Sequence, residues 1–168
     1  MTKFRVSVHE LGRHINRQIG PSDWVTVSQE KIDLYAQAAN DFNWIHVDVR
    51  RASAVFGGTI AHGLLTLSLA PPLAQELIEI DGIETDLNYG FDRVRFPAVV
   101  HGGDRVCLSL KILGVEPRGP GVLLRMEYRM DIEGRDKPAV VADWTFMLFP
   151  SPEALSRQAD NSGNSSVD

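Results

Sequence analysis

Apolar residues recur at three- and four-residue steps over the first half of the chain. They give way to β-branched and aromatic runs over the second. Val8, Leu11, Ile15 and Ile19 predict a first helix, stopped by Gly20-Pro21. Trp24-Val25-Thr26-Val27 predicts a short strand. Ser28 is placed to cap a second helix whose apolar face is Ile32, Tyr35, Ala36 and Ala39. That helix ends near Asn40, a residue that tolerates the left-handed conformation. Asp48 is placed to cap a further short helix reaching Ala54 and closed by Gly57-Gly58. From His62 to Ala70 the sequence is apolar nearly all round, which predicts a buried helix. Pro71-Pro72 predicts a kink or break in it, because an interior proline removes a hydrogen bond and costs about 3 kcal/mol. Helix is expected to resume as far as Ile80, before a turn at Asp81-Gly82.

Residues 89–96, 104–114, 122–132 and 140–149 predict strands. Turn formers separate them: Pro97, Gly102-Gly103, Gly119-Pro120-Gly121, and a hairpin loop at Glu133-Gly134-Arg135-Asp136. Short connections imply antiparallel neighbours. Helices first and strands afterwards predict an α+β domain over residues 1–150, in which an antiparallel sheet of about five strands wraps the apolar helix. Residues 151–168 run into a polar, Ser/Asn-rich tail that is expected to be disordered. An open sheet edge would remain, and edge-to-edge pairing into a homodimer would cover it.

Composition narrows the function classes. A net charge of −5 disfavours a nucleic-acid surface, which needs a basic field. The longest uncharged run, residues 59–75, is interrupted by His62, Thr66, Ser68, Pro71 and Pro72, so no membrane span is expected. The first residues carry no apolar secretory core, and the cytoplasm is the expected location. The single Cys107 lies in an apolar run and reads as a small buried hydrophobe.

The richest chemistry is in Asp41-Phe42-Asn43-Trp44-Ile45-His46-Val47-Asp48. On one continuous helix Asp41 and His46 would point about 140° apart. Beyond a helix end the backbone can turn back and aim both at one pocket, where they could share a water between acid and base. The helix dipole disfavours an anion at that end, which suits a carboxyl that exchanges protons. Both residues read equally as turn and packing groups. Asn43 reads as a turn residue or as a group that orients water or a carbonyl. Asp48 reads as a cap. Gly63 opens the apolar helix, where a bare backbone N–H could meet a developing oxyanion. His62 reads first as satisfying a backbone group, and His9, His14 and His101 as surface or structural. Asp41, His46, Asp48 and His62 have metal-ligand side chains but no paired spacing, and no metal is expected. Phosphate-cradling glycine motifs and a serine-hydrolase elbow are missing from the sequence.

Tyr35-Ala36-x-x-x-x-Asp41-x-Asn43-x-Ile45-His46-x-Asp48, then Ile60-Ala61-His62-Gly63, then Asn88-Tyr89-Gly90-x-x-x-Val94-Arg95-Phe96-Pro97 resembles the MaoC-like dehydratases. That group includes the (R)-specific enoyl-CoA hydratases and nodulation-protein-N-like proteins. Within it the chain looks most like the single-domain 3-hydroxyacyl-thioester dehydratases of mycobacterial type. The resemblance implies a hot-dog fold, a dimer through its sheet, and reversible hydration of a trans-2-enoyl thioester to the (R)-3-hydroxyacyl thioester. It implies that Asp41 and His46 activate the water, that Asn43 assists, and that the Gly63 amide faces the thioester carbonyl. No cofactor is implied beyond CoA, or an acyl-carrier protein, carrying the acyl group. Arg93, Arg95 and Lys111 are candidates for the CoA phosphates, although Arg93 and Lys111 read first as residues of a solvated strand face. Trp44 stands where many members have proline, and Pro71-Pro72 interrupts the central helix, which puts acyl preference in question. The same fold also serves thioesterases and non-catalytic acyl-thioester-binding subunits.

Overall fold

A computed structural model describes residues 2–154 and Ser156. Four long strands form its frame: β5 (Ile83–Arg95), β6 (Arg105–Arg118), β7 (Gly121–Ile132) and β8 (Val140–Pro150). They are preceded by β1 (Phe4–Ser7), β2 (Gln18–Ile19), β3 (Val25–Thr26) and β4 (Ile78–Asp81). The main sheet is antiparallel in the order β2-β6-β7-β8-β5, with β3 also paired to β6. Alternation sets its inner face. Val106, Leu108, Leu110 and Ile112 on β6, Leu124, Met126 and Tyr128 on β7, and Trp144, Phe146 and Leu148 on β8 are all buried.

Against that face lie α4 (Gly63–Ser68) and α5 (Ala70–Leu77), which bury Leu65, Thr66, Leu67, Ala70, Leu73, Ala74 and Leu77. The expected apolar helix is therefore two helices. The break falls at Leu69, whose N–H bonds back to Thr66 O at 3.2 Å. Pro71 and Pro72 then sit in the first turn of α5, where a missing N–H forfeits no intrahelical bond. A helical layer wrapped by a curved antiparallel sheet is the hot-dog arrangement.

Ahead of this layer come α1 (Gln29–Ala39), α2 (Trp44–Val47) and α3 (Val49–Phe56). Ser28 caps α1 by accepting from Lys31 N at 3.3 Å, and Asp48 caps α3 by accepting from Arg51 N at 2.9 Å. Asn40 ends α1 at φ 53°, in the left-handed region. These boundaries follow the sequence expectation, with α3 running on to Phe56 before Gly57 closes it.

The N-terminal helix does not form. Residues 4–7 pair in parallel with residues 78–81, Phe4 opposite Ile78 and Ser7 opposite Asp81. A short 3₁₀ turn over Leu11–His14 follows, and Asn16 at φ 68° blocks helix continuation. The apparent periodicity arises because successive short pieces each dip one side chain inward. Val8, Leu11 and Ile19 are buried, whereas Ile15 is 45% exposed. The same pairing ends the helical layer at Leu77 rather than Ile80. At the other terminus, Ala154 is buried and its carbonyl accepts from His9 Nε2 at 3.1 Å. The rest of the expected disordered tail, residues 157–168, lies outside the described residues, as do Met1 and Leu155. Among the described residues no helix is long and apolar enough to cross a membrane.

Candidate active site

The site begins where α1 stops. Asn40 reverses the chain, and Asp41 N bonds to Ala36 O at 3.0 Å, so Asp41 leaves the helix axis and the next residues double back. The Asp41 carboxylate accepts from Asn43 N at 3.3 Å. Asn43 caps α2 through its side-chain oxygen, which accepts from Ile45 N at 3.4 Å. The α2 turn then carries His46 inward, to 8% exposure.

Three contacts fix His46. Its Nδ1 bonds to Ile60 O. A carbonyl only accepts, so Nδ1 carries the proton and Nε2 holds the free lone pair. Its main-chain carbonyl accepts from Gln29 Nε2 at 2.9 Å, and Gln29 Oε1 accepts from the Thr59 hydroxyl. The neighbouring Ile45 O accepts from Ile60 N at 2.9 Å, binding α2 to the segment that leads to α4. His46 Nε2 has no protein partner yet is not sealed off: among the described residues, His62 Nδ1 alone is both buried and unpartnered.

His62 precedes Gly63 at the start of α4 and is 5% exposed. Its ring stacks on that of His46, with centroids 3.7 Å apart and planes at 24°. Its Nε2 donates to Asp41 O at 3.0 Å and lies 3.9 Å from Asp41 Oδ2. The Nδ1 atom is left as an unpaired acceptor, which costs about 1–3 kcal/mol when buried. Asp41 itself is half-exposed.

Gly63 is the first residue of α4, so its N–H is one of the helix's free donors. A β-carbon there would meet the Phe96 ring at 3.2 Å, tighter than most real contacts, so glycine lets that ring pack closely against the helix start. His46, Gly63, Thr66, Phe96 and Ala139 line one cavity of about 280 Å³.

An imidazole with an unpartnered nitrogen and a helix-start amide therefore share this cavity, and the Asp41 carboxylate lies beside the imidazole. Ligand atoms of Asp41, His46 and His62 lie within 4.8 Å of one another. The two rings are stacked, so their in-plane lone pairs run side by side.

The structure brings Asp41, His46 and Gly63 together and gives Asn43 and Asp48 capping bonds. Arg95 is exposed at the end of β5 and next to Phe96, its guanidinium on Val94 O at 2.8 Å. Arg93 is engaged by Asp143 at 3.1 Å and Glu127 at 3.5 Å, and Lys111 stands opposite Glu127 in mid-strand. Neither reaches the cavity. His9, His14 and His101 have structural contacts, with Ala154 O, the Phe4 ring, and Asp104 with Arg135. Cys107 is buried, and burial together with the Asp131 charge pushes its thiol up from the usual range, away from the reactive thiolate. Sequence reading missed Gln29, Thr59 and the Ile60 carbonyl. A glutamine at a helix start gave no signal, and a carbonyl has none to give.

Comparison with known proteins identifies the family. The model of the MaoC like domain matches residues 10–123. The chain is 44% identical over 139 residues to 3-hydroxyacyl-thioester dehydratase Z of Mycobacterium tuberculosis, covering 82% of this chain and 92% of that one. It is 39% identical over 151 residues to nodulation protein N of Rhizobium leguminosarum bv. viciae, covering 88% and 94%. In structure it resembles the R-hydratase PhaJ1 of Pseudomonas aeruginosa, with a TM-score of 0.66, 21% identity, and coverage of 82% and 83%.

Proposed function

The chain belongs to the MaoC-like domain family, and from that premise we propose that it hydrates trans-2-enoyl thioesters reversibly to (R)-3-hydroxyacyl thioesters. One observation carries the reading: His46, whose Nε2 is unpartnered, and Gly63, the first residue of α4, line the same cavity, with an Asp41 carboxylate oxygen within 4.8 Å of a His46 ring nitrogen.

In the hydration direction a water sits between Asp41 and His46. His46 Nε2 takes one proton as the oxygen adds to the β-carbon. The electrons of the double bond move toward the thioester oxygen, where the Gly63 N–H stabilises the charge; a donor so placed is typically worth about 3–4 kcal/mol. The imidazolium then returns its proton to the α-carbon, and the balance is one water added. Asp41 accepts the second hydrogen bond of the water and orients it. Because Nδ1 is committed to Ile60 O, His46 rather than Asp41 suits the accepting role.

The acyl tail has room beyond the site. A second, mostly apolar cavity of about 190 Å³ lies at the far end of the helical layer, among Ala74, Gln75, Ile80, Leu124, Phe146 and Leu148. Arg95, exposed beside the first cavity, is positioned to meet a phosphate of the carrier.

We further propose a homodimer. Among the described residues strand β5 ends the sheet, pairs with β8 alone, and carries exposed Leu87, Tyr89 and Phe91.

The test offers purified protein crotonyl-CoA and longer trans-2-enoyl-CoAs and follows loss of the conjugated double bond. The product is coupled to an enzyme selective for one 3-hydroxyacyl enantiomer. Hydration to the (R) product is expected. No hydration at any chain length, or an (S) product, sinks the proposal, and release of free CoA without hydration marks a thioesterase.

A further inference from the structure

His62 is the buried polar group at the site that the proposed chemistry does not use. A phenyl ring could fill its space, and a glutamine could reach the Asp41 carbonyl. Either would avoid stranding the buried Nδ1 acceptor. The imidazole supplies both an aromatic face against His46 at 3.7 Å and a donor to Asp41 O at 3.0 Å, which neither of those side chains does. The opposite needs of the two catalytic groups explain why both contacts matter. The Asp41 carboxylate is 54% exposed, and Asn43 N is the one hydrogen-bond donor on it among the described residues, so the side chain is weakly held. His46 is pinned at Nδ1 by Ile60, but rotation about that bond would swing Nε2 away from the water. A flat ring stacked on it closes off that rotation. His62 itself is rigid: its carbonyl accepts from Thr66 N at 3.1 Å and Thr66 Oγ1 at 3.3 Å, and Tyr35 packs near its ring at 4.9 Å.

We propose that His62 is a positioning residue that sets the separation of Asp41 and His46 and ties both to the turn bearing the Gly63 amide. One side chain thereby registers the acid, the base and the oxyanion donor against each other. The kinetic consequence rests on the hydratase reading; the tether and the stack do not.

Two variants separate the contacts. His62→Phe keeps a ring and drops the donor, and His62→Gln keeps a donor and drops the ring. Each is expected to lower kcat on crotonyl-CoA about tenfold to a hundredfold, the scale of a small misplacement. KM should stay within about threefold, because ground-state binding is untouched. The thermal midpoint of His62→Phe should be no lower than that of the unmodified protein. A kcat within about twofold in both variants overturns the proposal, as does a loss in which kcat, KM and thermal midpoint all worsen together.

A second arm needs no turnover. In the free protein with ¹⁵N-labelled histidine, NMR should show His62 protonated at Nε2 and bare at Nδ1. His46 should show the reverse, with ring-current shifts on its ring protons that vanish in His62→Gln. The opposite tautomer at His62, or His46 shifts unchanged in His62→Gln, overturns the proposal even in an active enzyme. The expected spectrum in a protein that hydrates nothing leaves the positioning role standing and removes the hydratase reading instead.

Discussion

An imidazole can take a proton only at a nitrogen that its surroundings leave bare, and at His46 a single backbone carbonyl makes that choice. With Nδ1 held by Ile60, the proton arrives at Nε2 or not at all. In the proposed reaction His46→Gln removes that acceptor, and Asp41→Asn removes the carboxylate that orients the water. Each should lower kcat by about 10²–10⁴-fold, the usual share of acid–base catalysis, with the far-UV circular dichroism unchanged. Hydration near wild-type rate in either variant would mean that the proton moves elsewhere. This part of the site was legible in sequence because Asp41, Asn43, His46 and Gly63 are residue types with chemistry of their own at short spacing. Their supports were not. The Ile60 contact is made by main chain, which every residue has, and Gln29 approaches from seventeen residues away.

Among the elements, α1 does more than cover the core. Its first residue, Gln29, joins the His46 carbonyl, Asp33 and the Thr59 hydroxyl, so the helix start clamps the two segments that meet at the site. Gln29→Leu leaves those groups unpaired and should cost about 1–3 kcal/mol in denaturant unfolding while also lowering kcat. Strand β7 carries a different signature. Burial, with the Asp86 charge as a lesser cause, pushes the Tyr128 phenol above its ordinary range. The unfolded chain releases this proton near pH 10 while the folded protein retains it, so stability falls as pH rises beyond about 10. Tyr128→Phe should shrink the drop in unfolding midpoint between about pH 8 and pH 11. The N-terminal helix, misread from sequence, shows what local pattern lacks. Residues 4–7 are recruited by residues 78–81, a pairing across more than seventy residues that no short window contains.

For the molecule as a whole, the open edge of β5 sets the expected assembly. Sedimentation should give twice the chain mass, and the double variant Leu87→Asp with Phe91→Asp should give a single chain, since buried like charges oppose edge pairing. A monomeric wild-type protein would leave that edge to another role. The second cavity predicts that Ala74→Leu lowers turnover of long enoyl chains several-fold more than of crotonyl-CoA, as one to three methylenes of lost space would. Equal losses at every length would place the tail elsewhere. The interruption at Leu69 gives the helical layer a property that a continuous helix lacks. The turn presenting Gly63 and the segment lining the second cavity are separate helices joined at Leu69. Pro71, Ala74 and Gln75, the residues of the second helix that line that cavity, are thus the positions at which chain-length preference should be adjustable with least effect on the Gly63 turn.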